Sequence, residues 1–326
     1  MKRREFITLL CSAAAAWPRT GHAQAPVKIA RLGFLGATFA ASWDRRMEAF
    51  QSSLRDLGYV QGKNIFIESR WAEERYGQLP ALAEELVRLR VDILLTYGTP
   101  GTLAAKQATT EIPIVFFYIG DAVSTGVVSS LARPGANVTG NTYFLPELMA
   151  KRLELLKDTM PNLSRAAVLV KPENPLFETT LPAVQAAANS LKIELQQFDA
   201  RDRNELEPAF LAMTKNNVEA VVLQEDATFL ANLSHIVELA ERQSLPIAGP
   251  VEFSEVGGLI GYGADFLDMC RHTAVFVDKI LRGAKTADLP VERATRFETV
   301  LNVETAKKLG LSIPPLVILR ADRVFE

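Results

Sequence analysis

Short apolar runs rich in β-branched residues alternate along this chain with longer stretches whose apolar residues recur at three- and four-residue spacing. That alternation predicts strand and helix in succession. It is densest from Val91 to Phe117: an apolar run, the break Tyr97-Gly98-Thr99-Pro100-Gly101, an alanine-rich helix, then Ile112 to Phe117. The stretch reads as a βαβ unit of a parallel sheet. Thr99 is placed at the N-cap and Pro100 at the first helical position, so free backbone N–H groups face whatever lies beyond the strand. Such a helix start attracts carboxylates, although most caps bind nothing.

The same pattern extends in both directions. Strands are predicted at Val27 to Phe34, Lys63 to Ser69 and Asp92 to Thr96, with helices over 42–57, 78–89 and about 122–131. A second series follows. It has helix 146–159, strand 165–170, helix 180–191, strand 193–198, helix 203–215, strand 220–223, helix 228–242 and strand 246–248. A glycine-bounded strand at Gly257 to Asp265, a long helix to Leu281, strand 297–301 and a short helix capped by Asn302 close the chain. Two successive alternating halves predict an α/β fold of two doubly wound parallel-sheet lobes. No low-complexity linker divides them, so the joins read as short crossovers.

Composition narrows the function. A chain of 326 residues, 48% hydrophobic, can bury the cores of two domains. Residues 1–23 read as an export signal of the twin-arginine type. Lys2-Arg3-Arg4 precedes an apolar stretch too short to span a bilayer, and Gly21-His22-Ala23 offers a cleavage site after Ala23, with Ala25 as the alternative. Loss of that segment removes a net +3 and takes the formal charge from −2 to about −5, which argues against nucleic acid as a partner. It also leaves Cys270 as the sole cysteine, so no intrachain disulfide is expected.

Several stretches resemble a known family. Ile112 to Phe116, Ser130 to Gly140, Gly257 to Gly263, Asp278 to Lys285, Ala287 to Glu292 and Thr305 to Pro314 are similar in order and spacing to ABC-transporter substrate-binding proteins of the TrpX-like type. The resemblance covers nearly all of the mature chain. It implies a type I periplasmic binding protein fold with three crossovers, lobe 1 formed by 26–142 plus 264–285 and lobe 2 by 143–263 plus 286–326. Hinges are then expected near Asn141 to Leu145, Tyr262 to Asp265 and Gly283 to Pro290. The implied function is periplasmic: a monomer closes on a small-molecule ligand, with an amino acid as the family precedent, and docks on an ABC permease whose separate subunit uses ATP.

Independently of the family, ligands of open α/β sheets sit beyond the carboxyl ends of the strands. The candidates there are Ala37, Thr38 and Phe39; Tyr97, Gly98 and Thr99; Tyr118 and Asp121; Tyr143; Glu173 and Asn174; Asp226; and Tyr262. Four of the six tyrosines fall in this set, and a phenol offers an apolar face with a polar tip. Each tyrosine could equally pack between lobes, and Asn174 and Asp226 could be turn or cap residues.

Rival classes find less support. An exported α/β enzyme acting in the cleft would need chemistry that the chain does not spell out: it has no Gly-x-Ser-x-Gly elbow, no phosphate loop and no Gly-x-Gly-x-x-Gly after the first strand. His235 and His272 lack metal-ligand spacing. No catalytic residue, metal or cofactor is expected. A gene regulator would need an N-terminal helix-turn-helix where the leader stands. A ligand sensor for a membrane receptor remains the other binding-protein alternative.

Overall fold

The computed structural model describes residues 29–326, so the expected export signal lies outside the described residues. Two sheets form. In the first, β1 (Ala30–Gly36), β2 (Ile65–Trp71), β3 (Ile93–Thr96), β4 (Ile114–Ile119) and β5 (Val138–Thr142) pair in parallel in the order 2-1-3-4-5. In the second, β6 (Arg165–Val170), β7 (Glu194–Asp199), β8 (Ala220–Leu223), β9 (Ile247–Gly249) and β10 (Ile260–Ala264) repeat that order as 7-6-8-9-10. Both are doubly wound, with the strand order reversing between β1 and β3 and between β6 and β8. Ligands of such sheets bind at these reversals. The central strands are buried on both faces, as helix-covered parallel sheets must be, and they read as unbroken Val/Ile/Leu/Phe runs rather than as alternation.

The chain passes between sheets three times. It leaves the first at Tyr143–Phe144, where Phe144 takes a left-handed φ of 55°, and starts α4 (Leu145–Thr159). α1 (Asp44–Asp56), α2 (Leu79–Arg88) and α3 (Gly98–Ala108) precede it in chain order. The chain returns at Asp265, whose carboxylate accepts from the Asp268 N–H and so caps the long helix Phe266–Leu281, which packs on α1. The third passage differs from the expected place. Gly283 to Pro290 stays with the first sheet, where Thr139 Oγ1 donates to the Leu289 carbonyl at 2.9 Å. Glu292–Arg293 (β11) then pairs in parallel with Asn141–Thr142, so the chain leaves the first sheet only after Arg293. β12 (Phe297–Asn302) lies antiparallel to β10, and Arg323–Phe325 (β13) extends the second sheet beyond it.

Two helices depart from the sequence pattern. Residues 122–131 form turns instead of a helix. There Asp121 Oδ1 accepts from the Val123 and Ser124 N–H groups, Gly126 turns left-handed at φ 69°, and Ser130 bonds the Arg133 backbone. These polar side chains offer the backbone other partners before a second helical turn can form. The predicted helix 228–242 breaks into Ala227–Ala231 and Leu233–Gln243, because the Asn232 side chain bonds the Thr228 carbonyl at 2.8 Å. A short helix at Val251–Glu255 and another at Pro315–Arg320 were not legible from apolar spacing.

Candidate functional site

The loops at the two strand-order reversals face each other. On the first lobe, Tyr97 follows β3 with its ring buried, and its hydroxyl accepts from the Ala37 and Thr38 N–H groups at 3.1 Å each. Burial pushes the phenol up to about 12 against these hydrogen bonds, which favour the charged form. Tyr97 thereby locks the loop after β1 onto the loop after β3. Gly98 follows at φ 67°, and α3 begins there, with Tyr97 at the N-cap. Thr99 is thus the second residue of the helix rather than its cap. Its side chain is 1% exposed and its Oγ1 has no hydrogen-bond partner.

Aromatic rings back this wall. Tyr118 lies between Phe266, stacked at 4.5 Å between ring centroids, and Trp43, stacked at 5.9 Å. Tyr143 meets the edge of Phe266 at 5.2 Å. Such contacts fix ring orientation more tightly than aliphatic packing would.

The opposite wall comes from the second lobe. Asp226 is buried and accepts through Oδ1 from the Thr228 N–H, through Oδ2 from Asn174 Nδ2 at 3.0 Å, and through Oδ1 from the Tyr76 hydroxyl at 2.8 Å. Burial raises its carboxyl above the usual range, against the pull of Lys171 and these donors. Next to it, Glu225 is held by Arg152 from the middle of α4. Both guanidinium ends donate to the carboxylate, Nη1 to Oε2 at 2.5 Å and Nη2 to Oε1, and neither side chain reaches solvent. The same guanidinium donates to the Leu223 and Tyr262 carbonyls, so all its donors are satisfied without water.

Between these walls lies a narrow cavity of about 20 Å³, space for roughly one water molecule, so a larger guest needs the walls to move apart. Of the residues expected at the site, Ala37, Tyr97, Gly98, Thr99, Tyr118, Tyr143, Asn174 and Asp226 line it. Thr38 sits behind the wall, its hydroxyl 2.8 Å from that of Tyr97. The other four lie elsewhere. Phe39 is 47% exposed and faces an outer recess, and Glu173 lies on the same recess, paired with Arg201 at 3.0 Å. Asp121 caps its own turn, and Tyr262 offers Arg152 its carbonyl. Asn174 and Asp226 do perform the local duties weighed from the sequence, since Asn174 Oδ1 accepts from the Leu176 N–H. Their remaining atoms nevertheless bond each other on the cavity wall.

Tyr76, Gly120, Leu176, Glu225 and Leu230 also line the cavity. Glu225 is legible from the strand-end pattern, since it lies two residues past the end of β8, beside Asp226. Tyr76 could not: it lies five residues past the end of β2, where strand-end reasoning does not reach. No group of three or more His, Cys, Asp or Glu among the described residues could hold a metal ion, and no described helix is long and apolar enough to cross a membrane.

A family model described as ABC transporter substrate binding protein matches residues 40–325. The chain belongs to that family. Among solved structures, this substrate-binding protein is similar to an ABC domain in complex with L-Trp from Streptococcus pneumonia, with 26% identity, a TM-score of 0.83 and coverage of 91% of this chain and 99% of the other. A conserved domain protein from Vibrio cholerae is equally near, with 26% identity, a TM-score of 0.85 and coverage of 91% and 100%. A tyrosine-binding protein of Clostridioides difficile is 25% identical over 271 residues, 83% of this chain and 78% of the relative. The fold is that of the type I periplasmic binding proteins, and the family is one of solute-binding proteins that work with ABC permeases.

Proposed function

We propose that this substrate-binding protein is the exported, periplasmic binding component of an ABC import system, and that its lobes close on one aromatic amino acid. The observation that carries the reading is the unpaired, buried hydroxyl of Thr99 at the start of α3, set across the narrow interlobe cavity from the Asp226–Asn174 pair. A helix start with free N–H groups suits a carboxylate, and an acidic group on the far wall suits an ammonium. Tyr97, Tyr118 and Tyr143 between them suit an aromatic side chain. The L-Trp complex and the tyrosine-binding relative support the same class of ligand.

The closed monomer would then dock on a permease whose separate subunit hydrolyses ATP. A thermal-shift screen of L-tyrosine, L-tryptophan, aromatic acids and sugars tests the ligand, since a binder at a hundred times its dissociation constant adds about 2.7 kcal/mol. Thr99→Ala should weaken the best binder by about 1–2 kcal/mol, the scale of one charge-assisted hydrogen bond. Equal affinities in calorimetry would remove Thr99 from the site, and no shift with any amino acid would overturn the reading.

A further inference from the structure

Tyr76 borders two spaces. One is the narrow cavity; the other is an open recess of about 920 Å³ outside it, bounded by Phe39, Ser42, Lys171, Glu173, Arg201 and Asn232 among others. Among the described residues lining the two spaces, Tyr76 is the single one common to both. Its ring is therefore the partition between them.

The partition is held in place from both lobes. Tyr76 stands on the loop after β2, where two successive non-glycine residues, Glu73 and Glu74, adopt left-handed φ values of 50° and 68°. Their N–H groups donate to the Thr38 and Ala37 carbonyls, which pin the unusual turn to the first lobe. From there the loop reaches the second lobe three times. The Tyr76 hydroxyl donates to Asp226 at 2.8 Å, Lys171 Nζ sits 4.3 Å from the Tyr76 ring centroid, and Asn232 Nδ2 donates to Glu74 Oε1 at 2.7 Å. Strained backbone kept by such contacts places one side chain reproducibly.

We propose that Tyr76 is the gate of the cavity and sets its upper ligand length, admitting a free amino acid and rejecting one extended at its amino end. The inference rests on the amino-acid reading above. A ligand whose carboxylate lies at Thr99 and whose amine lies at Asp226 points its amino end at Tyr76, because Asp226 and Tyr76 are hydrogen-bonded neighbours. Any group added to that nitrogen meets the phenol ring. Without the ring, the added group would pass into the outer recess.

Calorimetry of the wild type, Tyr76→Phe, Tyr76→Leu and Tyr76→Ala with L-tyrosine and glycyl-L-tyrosine tests this. The wild type should favour the free amino acid by about a hundredfold, and Tyr76→Ala should cut that ratio by about tenfold or more through tighter binding of the dipeptide. Tyr76→Phe should keep the ratio while binding both probes less tightly, since it keeps the ring and loses only the bond to Asp226. Tyr76→Leu should fall between, and it carries the test should the alanine variant not fold. An unchanged ratio in a variant that still binds L-tyrosine overturns the inference alone, as does a wild type that binds both probes equally. A wild type that binds neither L-tyrosine nor L-tryptophan overturns the ligand reading and this inference with it.

Discussion

Replacing Arg152 by methionine keeps an unbranched apolar stem and removes the cation paired with Glu225 inside the second lobe. The wild-type pair is fully enclosed, with side-chain exposures of 0% and 1%, so water cannot take over when the guanidinium is gone. Glu225 would be left as an uncompensated buried charge, and the Leu223 and Tyr262 carbonyls would lose their donor as well. Breaking a buried pair from one side costs about 3–5 kcal/mol. For a chain of this size that lowers the unfolding midpoint by on the order of 10 °C. The expected size of the loss is set by the stranded carboxylate and not by the attraction itself, which separates this account from a simple count of contacts. Arg152→Met combined with Glu225→Gln should therefore be more stable than the sum of the two single changes by about 2 kcal/mol or more. Urea and thermal unfolding of all four proteins, followed by circular dichroism, provide the cycle. A single variant within about 1 kcal/mol of wild type, or a cycle that closes without coupling, would refute the reasoning.

Two further outcomes follow from the same geometry. A methyl group on Gly120 would come within 2.2 Å of Leu176 Cδ1 of the facing lobe, so Gly120→Ala should weaken ligand binding by opposing closure, and adding Leu176→Ala should restore much of it; calorimetry that shows no loss in the single variant would count against closure at this contact. Tyr97 ionises only near 12 in the fold but near 10 in an unfolded chain, so its raised value contributes stability that is intact below about pH 10 and lost as pH climbs towards about 12. An alkaline titration read at the phenolate absorbance should show the buried tyrosines ionising together with loss of the native dichroism; ionisation well before unfolding would contradict their burial.

Much of the architecture was legible because it is written in local periodicity. Strands such as 165–170 and 220–223 and the helix 203–215 stand where apolar spacing put them. The Gly98-Thr99 helix start, too, is visible in a run of five residues, although the helix begins two residues earlier than the Thr-Pro pair suggested. The failures share a cause. Residues 122–131 carry apolar residues at helical spacing, but Asp121 and Ser130 give the backbone nearer partners and Gly126 turns left-handed. The third passage between sheets was misplaced because Glu292–Arg293 is too short to read as a strand, and only its pairing with Asn141–Thr142 makes it one.

The sequence by itself determined the doubly wound class, the repetition of one topology in two halves and the walls of the cavity that lie at strand ends. Those features depend on neighbours within a few positions, and a parallel sheet places strand ends on one side whatever its loops contain. Only the tertiary structure decided which polar groups meet. Arg152 lies on a helix like any surface cation and finds Glu225 across 73 positions, and Tyr76 reaches Asp226 across 150. No local pattern encodes such pairings, because the low dielectric of the interior selects partners by distance in space after the lobes have formed.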